Sequence, residues 1–221
     1  MDHTKESPQI SLLGTSAMLF EAPGAFDLSH QRRIWSLARV TQDWPGVLEA
    51  VPGMTNLMLT FEEPIRDPGK QQNSLLAAWA RAEDVAGESR TFEFPVVYGG
   101  EGGPDLDHMA EHTGLSREEV VAVHAGRSYT VFALGSHPGY AYLGTVDPKL
   151  FIPRRKVPRV SIPAGAVSIG GWQTGASASA GPSGWHTIGR TLVKFFDPKA
   201  SEPALLAPGD TVRFAIERIV P

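Results

Sequence analysis

Apolar residues recur with two different periods in the amino-terminal part of the chain, and those periods predict strands and helices. Helical spacing predicts one helix, capped by Asp27 or Ser29, and a second helix at residues 71–84. Alternating or short apolar runs bounded by Pro and Gly predict strands at residues 9–22, 47–51, 56–61 and 91–98. The order β-α-β-β-α-β over residues 9–98 predicts an α+β domain with the ferredoxin-like fold.

The remaining residues, 99–221, change from helical to strand periodicity after a clear helix start. Ser116 and Glu119 have the spacing of a capping box, and Pro104 is placed to begin a shorter helix before it. Beyond residue 128 the signals are those of strands and turns, most plainly near the carboxyl end, where apolar and polar residues alternate. We therefore expect the second domain to be a compact β-barrel with two small helices at its entrance.

The composition is typical of a soluble globular protein. The 221 residues are 42% apolar and 20% charged, and no window approaches the roughly 18 consecutive apolar residues of a membrane span. The amino-terminal residues are polar and there is no Cys, so we expect a cytoplasmic protein without disulfides, thiolate nucleophiles or Cys-based metal sites. A net charge of −4 and the lack of a long basic run argue against a nucleic-acid-binding surface.

Charge is distributed unevenly along the chain, and one segment is strongly basic. Residues 148–196 contain no Asp or Glu but seven Lys and Arg residues, and the stretch is also rich in Gly and Pro. Glycine and proline specify backbone geometry, and clustered cations attract anions. We call residues 148–196 the basic segment, and we predict that it holds something anionic.

Seven sequence blocks carry a family resemblance. They are PGVLEAVPG, VVYGGEGGPDL, PGYAYLG, DPKL, PRRKVPR, IPAGAVSIGGWQTG and GWHTIGRT, beginning at Pro45, Val96, Pro138, Asp147, Pro153, Ile162 and Gly184. In this order the blocks closely resemble the KipI/PxpB family, also called allophanate hydrolase subunit 1, and they cover nearly the whole chain. The resemblance implies a ferredoxin-like amino-terminal domain followed by a cyclophilin-like β-barrel. The chain differs from the family pattern at Ser136, Ser177, Ala178, Gly181 and Leu192.

The resemblance implies a function that the chain performs only with partners. The family works beside a KipA/PxpC-like subunit, and a YcsF/PxpA-like subunit completes an ATP-dependent 5-oxoprolinase, which opens the lactam of 5-oxoproline to glutamate. ATP with Mg²⁺ is therefore expected in the assembled complex. Two other functions remain open. One is a regulatory protein that inhibits a sensor histidine kinase, and the other is a carboxyltransferase-like component of a urea or allophanate pathway.

The chemistry of lactam opening selects candidate site residues. A route through a phosphorylated amide oxygen needs cations and backbone N–H groups more than a strong nucleophile. We therefore expect Arg154 and Arg155 to clamp a phosphate or carboxylate, with Glu101 as a general base, and these three are the candidate catalytic residues. The candidate substrate-binding residues are Gly170, Gly171, Gln173, Thr174, Arg190 and Tyr142. The first four would form a cradle of amides, and no metal ligands are predicted in the chain.

Each candidate also has a structural interpretation. The arginines could pair with the acidic first domain or with a partner subunit, and the glycines could mark a close approach of two barrel strands. Asp105 is expected to favour a helix start through the helix dipole rather than to act in catalysis. His137 and His186 are the usual acid–base residue type, but we expect local packing roles for both. We expect Tyr140, like Tyr142, to wall a pocket or to pack in the barrel mouth.

Overall fold

The computed structural model describes residues 7–24, 26–84 and 89–221, which form two compact units, 1–87 and 88–221. The helices of the described ranges are α1 Leu28–Gln42, α2 Pro68–Arg81, α3 Leu106–Thr113 and α4 Arg117–Ala125. The strands of those ranges are β1 Gln9–Leu12, β2 Ala17–Glu21, β3 Val47–Pro52, β4 Asn56–Phe61, β5 Thr91–Gly99, β6 Ser128–Leu134, β7 Ala141–Thr145, β8 Arg159–Ile162, β9 Ala166–Gly170, β10 Gln173–Ala176, β11 Gly181–Ser183, β12 His186–Arg190 and β13 Thr211–Val220. None of these helices is long and apolar enough to cross a membrane.

The first unit is a four-stranded antiparallel sheet with two helices, and its strand order is β1-β2-β4-β3. Alternate residues of the central strands, among them Phe20 and Leu57, are buried and pack in one cluster with Ile34 of α1. The carboxylate of Asp27 accepts a hydrogen bond from the His30 amide at 2.8 Å, so Asp27 rather than Ser29 caps α1.

The predicted ferredoxin-like connectivity is wrong in its last strand. Residues 9–22 form a hairpin of two strands instead of one strand, and β1 occupies the sheet edge beside β2. The strand predicted at residues 91–98 is β5, which pairs with β12 and β13 in the second unit. A ferredoxin-like domain over residues 9–98 is therefore not confirmed. Periodicity reports which face of a strand is buried, but it does not report which sheet the strand joins.

The second unit is a closed barrel of seven strands, which confirms the predicted β-barrel. The strand order is β10-β7-β6-β13-β5-β12-β9, and β13 pairs in parallel with β5, while the other neighbours are antiparallel. A separate two-stranded sheet is formed by β8 and β11. Buried apolar residues fill the barrel interior, including Val96, Val131, Val167, Ile169 and Phe214. That this barrel is cyclophilin-like stays a prediction.

The two predicted helices before the barrel strands are α3 and α4. The Ser116 hydroxyl accepts from the Glu119 amide at 3.1 Å, and the Glu119 carboxylate accepts from the Ser116 amide at 2.7 Å. The predicted capping box is therefore confirmed. α3 begins at Leu106 with Asp105 as its N-cap residue, so Pro104 precedes the first turn instead of lying in it.

One polar network lies within the apolar core of the barrel. His124 of α4 is fully buried and its ring stacks on Phe214 at 4.8 Å between centroids. The Thr174 hydroxyl donates to the Ser168 carbonyl at 3.0 Å, so it must accept from Nε2–H of His124 at 2.8 Å. The other ring nitrogen, Nδ1, then accepts from the Tyr98 hydroxyl at 2.9 Å. Burial lowers the pKa of His124 to about 3, and the ring is neutral at physiological pH.

Candidate functional site

A cleft of about 420 Å³ lies on the outer face of the barrel, between strands β7, β9 and β10 and the β8–β11 sheet. Successive residues of a strand point to opposite faces, and Val167 and Ile169 of β9 belong to the core. Their neighbours Ala166 and Ser168 therefore face outward, where they line the cleft. The volume falls in the range of ligand-binding clefts, about 300 to 1,000 Å³.

Aromatic rings form the walls of this cleft. The ring centroid of Tyr140 lies 5.0 Å from that of Tyr142 and 6.4 Å from that of Trp185, both in edge-to-face geometry. Glycines beneath the rings permit this arrangement, because a Cβ at Gly170 would lie 2.5 Å from the Trp185 ring. A Cβ at Gly175 would lie 3.2 Å from the Tyr140 hydroxyl oxygen. The glycines of β9 and β10 thus make room for aromatic side chains on the outer face.

Arg154 supplies the positive charge of the cleft. Among the described residues that line it, Arg154 is the only Lys, Arg, Asp or Glu. The guanidinium carbon lies 5.8 Å from the centroid of the Trp185 ring, within cation–π range. No Asp or Glu of the described ranges forms an ion pair with it. The cleft therefore offers an exposed guanidinium, held beside an aromatic ring, to an anion from outside the chain.

Several hydrogen-bonding groups of the cleft have no partner within the described part of the chain. Ser177 is only 7% exposed, and its hydroxyl faces the cleft without a hydrogen bond. The Nε2 atom of His137 is buried and likewise unpaired, and burial lowers the pKa of this ring, so it is neutral at pH 7. Burial also raises the pKa of the Tyr140 hydroxyl, which stays protonated as a donor. These groups form a neutral, hydrogen-bonding lining beneath one cation.

Arg155 lies outside this cleft, although it is the next residue after Arg154. It donates to the Asp105 carboxylate at 2.7 Å, and Arg159 donates to the same oxygen at 2.6 Å. The residue Asp105 is 3% exposed, and its second carboxylate oxygen accepts a hydrogen bond from the Thr187 amide at 2.8 Å. Two cations of the basic segment are therefore neutralised inside the unit, and Asp105 anchors them rather than simply favouring the start of α3.

Glu101 and Arg190, two further candidates, also lie away from the lining of the cleft. Glu101 is exposed in the turn Gly100–Gly102, and a Cβ at Gly102 would lie 3.2 Å from Cβ of Arg190. The Arg190 guanidinium donates to the Ala164 carbonyl at 3.1 Å. The structure thus brings this turn beside Arg190, and the catalytic and substrate-binding roles of the two side chains stay predictions.

The predicted cradle of amides at residues 170–174 is instead a β-hairpin. Gln173 and Thr174 of β10 pair with Gly170 and Ile169 of β9, and the Gly171 amide donates to the Ile152 carbonyl at 2.7 Å. These residues therefore do not converge on a ligand through their amides. The Thr174 side chain points into the barrel, where its hydroxyl belongs to the His124 network.

Of the candidate residues from sequence, Arg154 and Tyr142 line the cleft. Tyr140, which was expected to wall a pocket or to pack in the barrel mouth, lines it as well. Sequence reasoning did not identify Trp185 and Ser177 as lining residues. The stretch from 177 to 184 alternates Ser with Gly, Ala and Pro, a composition that indicates a loop without indicating a ligand. The described residues contain no group of three or more His, Asp or Glu placed to hold a metal ion.

Comparison with known proteins gives consistent results. The family model described as carboxyltransferase domain, subdomain C and D, matches residues 8–206. An Escherichia coli protein named as a subunit of 5-oxoprolinase is 44% identical over 207 residues, covering 94% of this chain and 95% of that protein. A solved structure called TTHA0988 is 36% identical with a TM-score of 0.75, covering 91% of this chain and 40% of that one, so this chain spans about two fifths of its length. The K. lactis urea amidolyase, at 20% identity, has a TM-score of 0.79 over 99% of this chain and 15% of that chain, and indicates the fold alone.

Proposed function

Because this chain belongs to the carboxyltransferase subdomain C and D family, and its relatives there are named as 5-oxoprolinase subunits, we propose that it is the PxpB-type subunit of a 5-oxoprolinase. The observation that carries the proposal is similarity at 44% identity over 94% of this chain and 95% of the relative. The residues matched by the family model, 8–206, include every residue that lines the cleft. A likeness of this extent supports the same role in the same kind of complex.

The reaction that we propose for the complex is the hydrolytic opening of a five-membered lactam. Water adds across the C–N bond of 5-oxoproline to give glutamate, and hydrolysis of ATP to ADP and phosphate drives the step. We propose KipA/PxpC-like and YcsF/PxpA-like subunits as the partners, ATP with Mg²⁺ as the nucleotide of the complex, and the cytoplasm as its location. The nucleotide acts in the assembled complex, and we assign it no ligand in this chain.

The contribution of this chain is binding and orientation. Arg154 offers a guanidinium fork suited to a carboxylate, and the neutral lining of His137, Tyr140 and Ser177 offers hydrogen bonds to an amide. Hydrogen-bond donors and a cation that are fixed around one oxygen atom stabilise charge that develops on it. No specific observation favours a kinase inhibitor. The family description names a carboxyltransferase domain, but the relatives at 35–44% identity are named as 5-oxoprolinase subunits, and the likeness to the urea amidolyase concerns the fold alone.

Reconstitution tests the proposed function. The chain alone is expected to be inactive, whereas the chain mixed with its KipA/PxpC-like and YcsF/PxpA-like partners should hydrolyse ATP in proportion to added 5-oxoproline and release glutamate. Mixtures that lack one of the three proteins, and a complete mixture without 5-oxoproline, are the controls. A complete and folded mixture that forms no glutamate would show that this chain is not a functional part of a 5-oxoprolinase.

A further inference from the structure

The outer-face cleft brings together groups that have no partner in the part of the chain that the structure describes. We propose that this cleft by itself binds a small cyclic amide that carries a carboxylate. The carboxylate pairs with Arg154, the flat ring lies against Trp185, and the amide bonds to the hydroxyls of Tyr140 and Ser177. The identity of the ligand as 5-oxoproline rests on the proposed function, but the binding does not require the partner proteins.

The negative charge of the proposed ligand is inferred from the cations of the basic segment and their carboxylate partners. Within the described ranges, Arg155 and Arg159 are paired with Asp105, and Lys194 is paired with Asp197 at 2.8 Å. Arg154 has no such partner and lies at an aromatic wall. A guanidinium binds a carboxylate through two parallel hydrogen bonds, and the lining contains no Asp or Glu among its described residues to oppose an anion.

The amide group of the proposed ligand is inferred from two hydroxyls of the cleft, those of Ser177 and Tyr140. The hydroxyl of Ser177, a residue that lines the cleft, has no hydrogen-bond partner among the described residues, so it is available to a ligand there. A hydroxyl can donate to a ring carbonyl or accept from a ring N–H, and the protonated Tyr140 hydroxyl can do the same from the wall. An amide supplies both the donor and the acceptor that these two hydroxyls require.

The shape of the ligand follows from the fixed aromatic wall. Trp185 is 5% exposed and its ring covers Gly170, whose missing Cβ leaves the space that the ring occupies. Its backbone amide donates to the Ser183 hydroxyl at 3.1 Å, which holds the loop that carries the ring. A rigid flat surface favours a flat ring over a flexible chain, because less conformational freedom is lost on binding.

Calorimetric titration of the isolated chain tests the inference. 5-Oxoproline is the probe, and 2-pyrrolidinone, which lacks the carboxylate, and proline, which lacks the carbonyl, are matched probes. We expect both analogues to bind at least about 10-fold more weakly, given the strength of hydrogen bonds to charged and buried groups. Arg154→Gln should weaken 5-oxoproline binding by about 10-fold or more and Ser177→Ala by about 5-fold. Lys156→Gln removes a neighbouring exposed charge outside the cleft and should leave binding unchanged.

Any one of the following titration results would overturn the inference. They are the absence of 5-oxoproline binding to the folded chain, equal binding by 2-pyrrolidinone, and unchanged binding by Arg154→Gln. Inorganic phosphate that binds as tightly as 5-oxoproline would also overturn it, by assigning Arg154 to a phosphate. A reconstituted complex that turns over normally while Arg154→Gln keeps the wild-type KM would reject the inference and leave the proposed function intact. An inactive complex in which this chain still binds 5-oxoproline would reject the proposed function and leave the inference about the cleft intact.

Discussion

Arg154 and Arg155 are neighbours in the sequence and have opposite environments in the structure. Arg155 is bound to the buried Asp105 carboxylate, whereas Arg154 is exposed at an aromatic cleft without an ion-pair partner in the described ranges. Both residues lie in the loop between β7 and β8, so one Arg-Arg pair of a loop supplies both environments. A run of basic residues therefore does not by itself indicate an anion site. The cations that matter for binding are those that no internal carboxylate has neutralised.

The same contrast separates the polar groups of the barrel unit. Asp105 and His124 are buried with hydrogen-bond partners, and they contribute to stability and to a single packing arrangement. In the cleft, Nε2 of His137 is buried without a partner in the described ranges, which costs stability, and the Ser177 hydroxyl has no partner there either. Both groups keep hydrogen-bonding capacity for a ligand. Changes to the first set should therefore affect folding, and changes to the second set should affect binding.

The largest effect is expected from Asp105→Asn. The substitution leaves Arg155 and Arg159 facing a neutral group in a partly buried site, and loss of one partner from such a cluster costs about 3–5 kcal/mol in the free energy of unfolding. Urea denaturation measures this change. Glu101→Gln, at an exposed position in the preceding turn, is the matched control and should change stability by less than about 0.5 kcal/mol. Equal stability of the two variants would mean that the ion pairs with Asp105 contribute little.

A smaller effect, dependent on pH, is expected from His124. Its pKa is lowered to about 3 in the folded state, whereas an unfolded His titrates near 6.5. Between these values the unfolded state binds the additional proton, so the free energy of unfolding falls as pH falls below 6.5. The loss from this one group should reach about 2 kcal/mol by pH 5.

Comparing a His124 variant with the wild type separates the contribution of His124 to the pH dependence of the free energy of unfolding from the contribution of the carboxylates. His124→Gln removes the titrating ring, so its free energy of unfolding should fall less steeply between pH 6.5 and 5 than that of the wild type. Parallel profiles for the wild type and His124→Gln would mean that the ring is protonated in the folded protein.

Local sequence signals predicted the elements of this protein well, because their causes are local. The capping box of Ser116 and Glu119 and the Asp27 cap depend on residues within one turn of helix, and all are present. The strand at β5 was predicted in the correct place, but its partners β12 and β13 lie about a hundred residues further along the chain. The alternation of apolar residues in a strand does not indicate which strands it pairs with, and β5 was assigned to the wrong domain for this reason.

The candidate site was predicted in part, and the failures share a cause. Arg154 and Tyr142 line the cleft, and their catalytic and substrate-binding roles stay predictions, whereas Arg155 and Thr174 have the same chemistry and are engaged inside the unit. Their partners Asp105 and His124 are distant in sequence, so residue type could not separate the engaged groups from the available ones. The sequence analysis identified the glycines as residues that specify backbone geometry. In the structure, Gly170 makes room for the Trp185 ring rather than for a ligand.

The smallest effect on stability, and the sharpest test of the cleft, is expected from Gly170→Ala. The new Cβ would lie 2.5 Å from the Trp185 ring, so the ring must move toward the cleft, at a cost of about 1 kcal/mol because open space lies beside it. The displaced ring narrows the proposed binding surface, and 5-oxoproline affinity should fall more than stability does. Gly69→Ala is the matched control, since Gly69 lies in α2 outside the cleft and a Cβ there would lie at an ordinary 3.6 Å from the Asp67 carboxylate. If the two variants bind 5-oxoproline equally well, the position of the Trp185 ring does not determine binding, and the glycines beneath it serve packing alone.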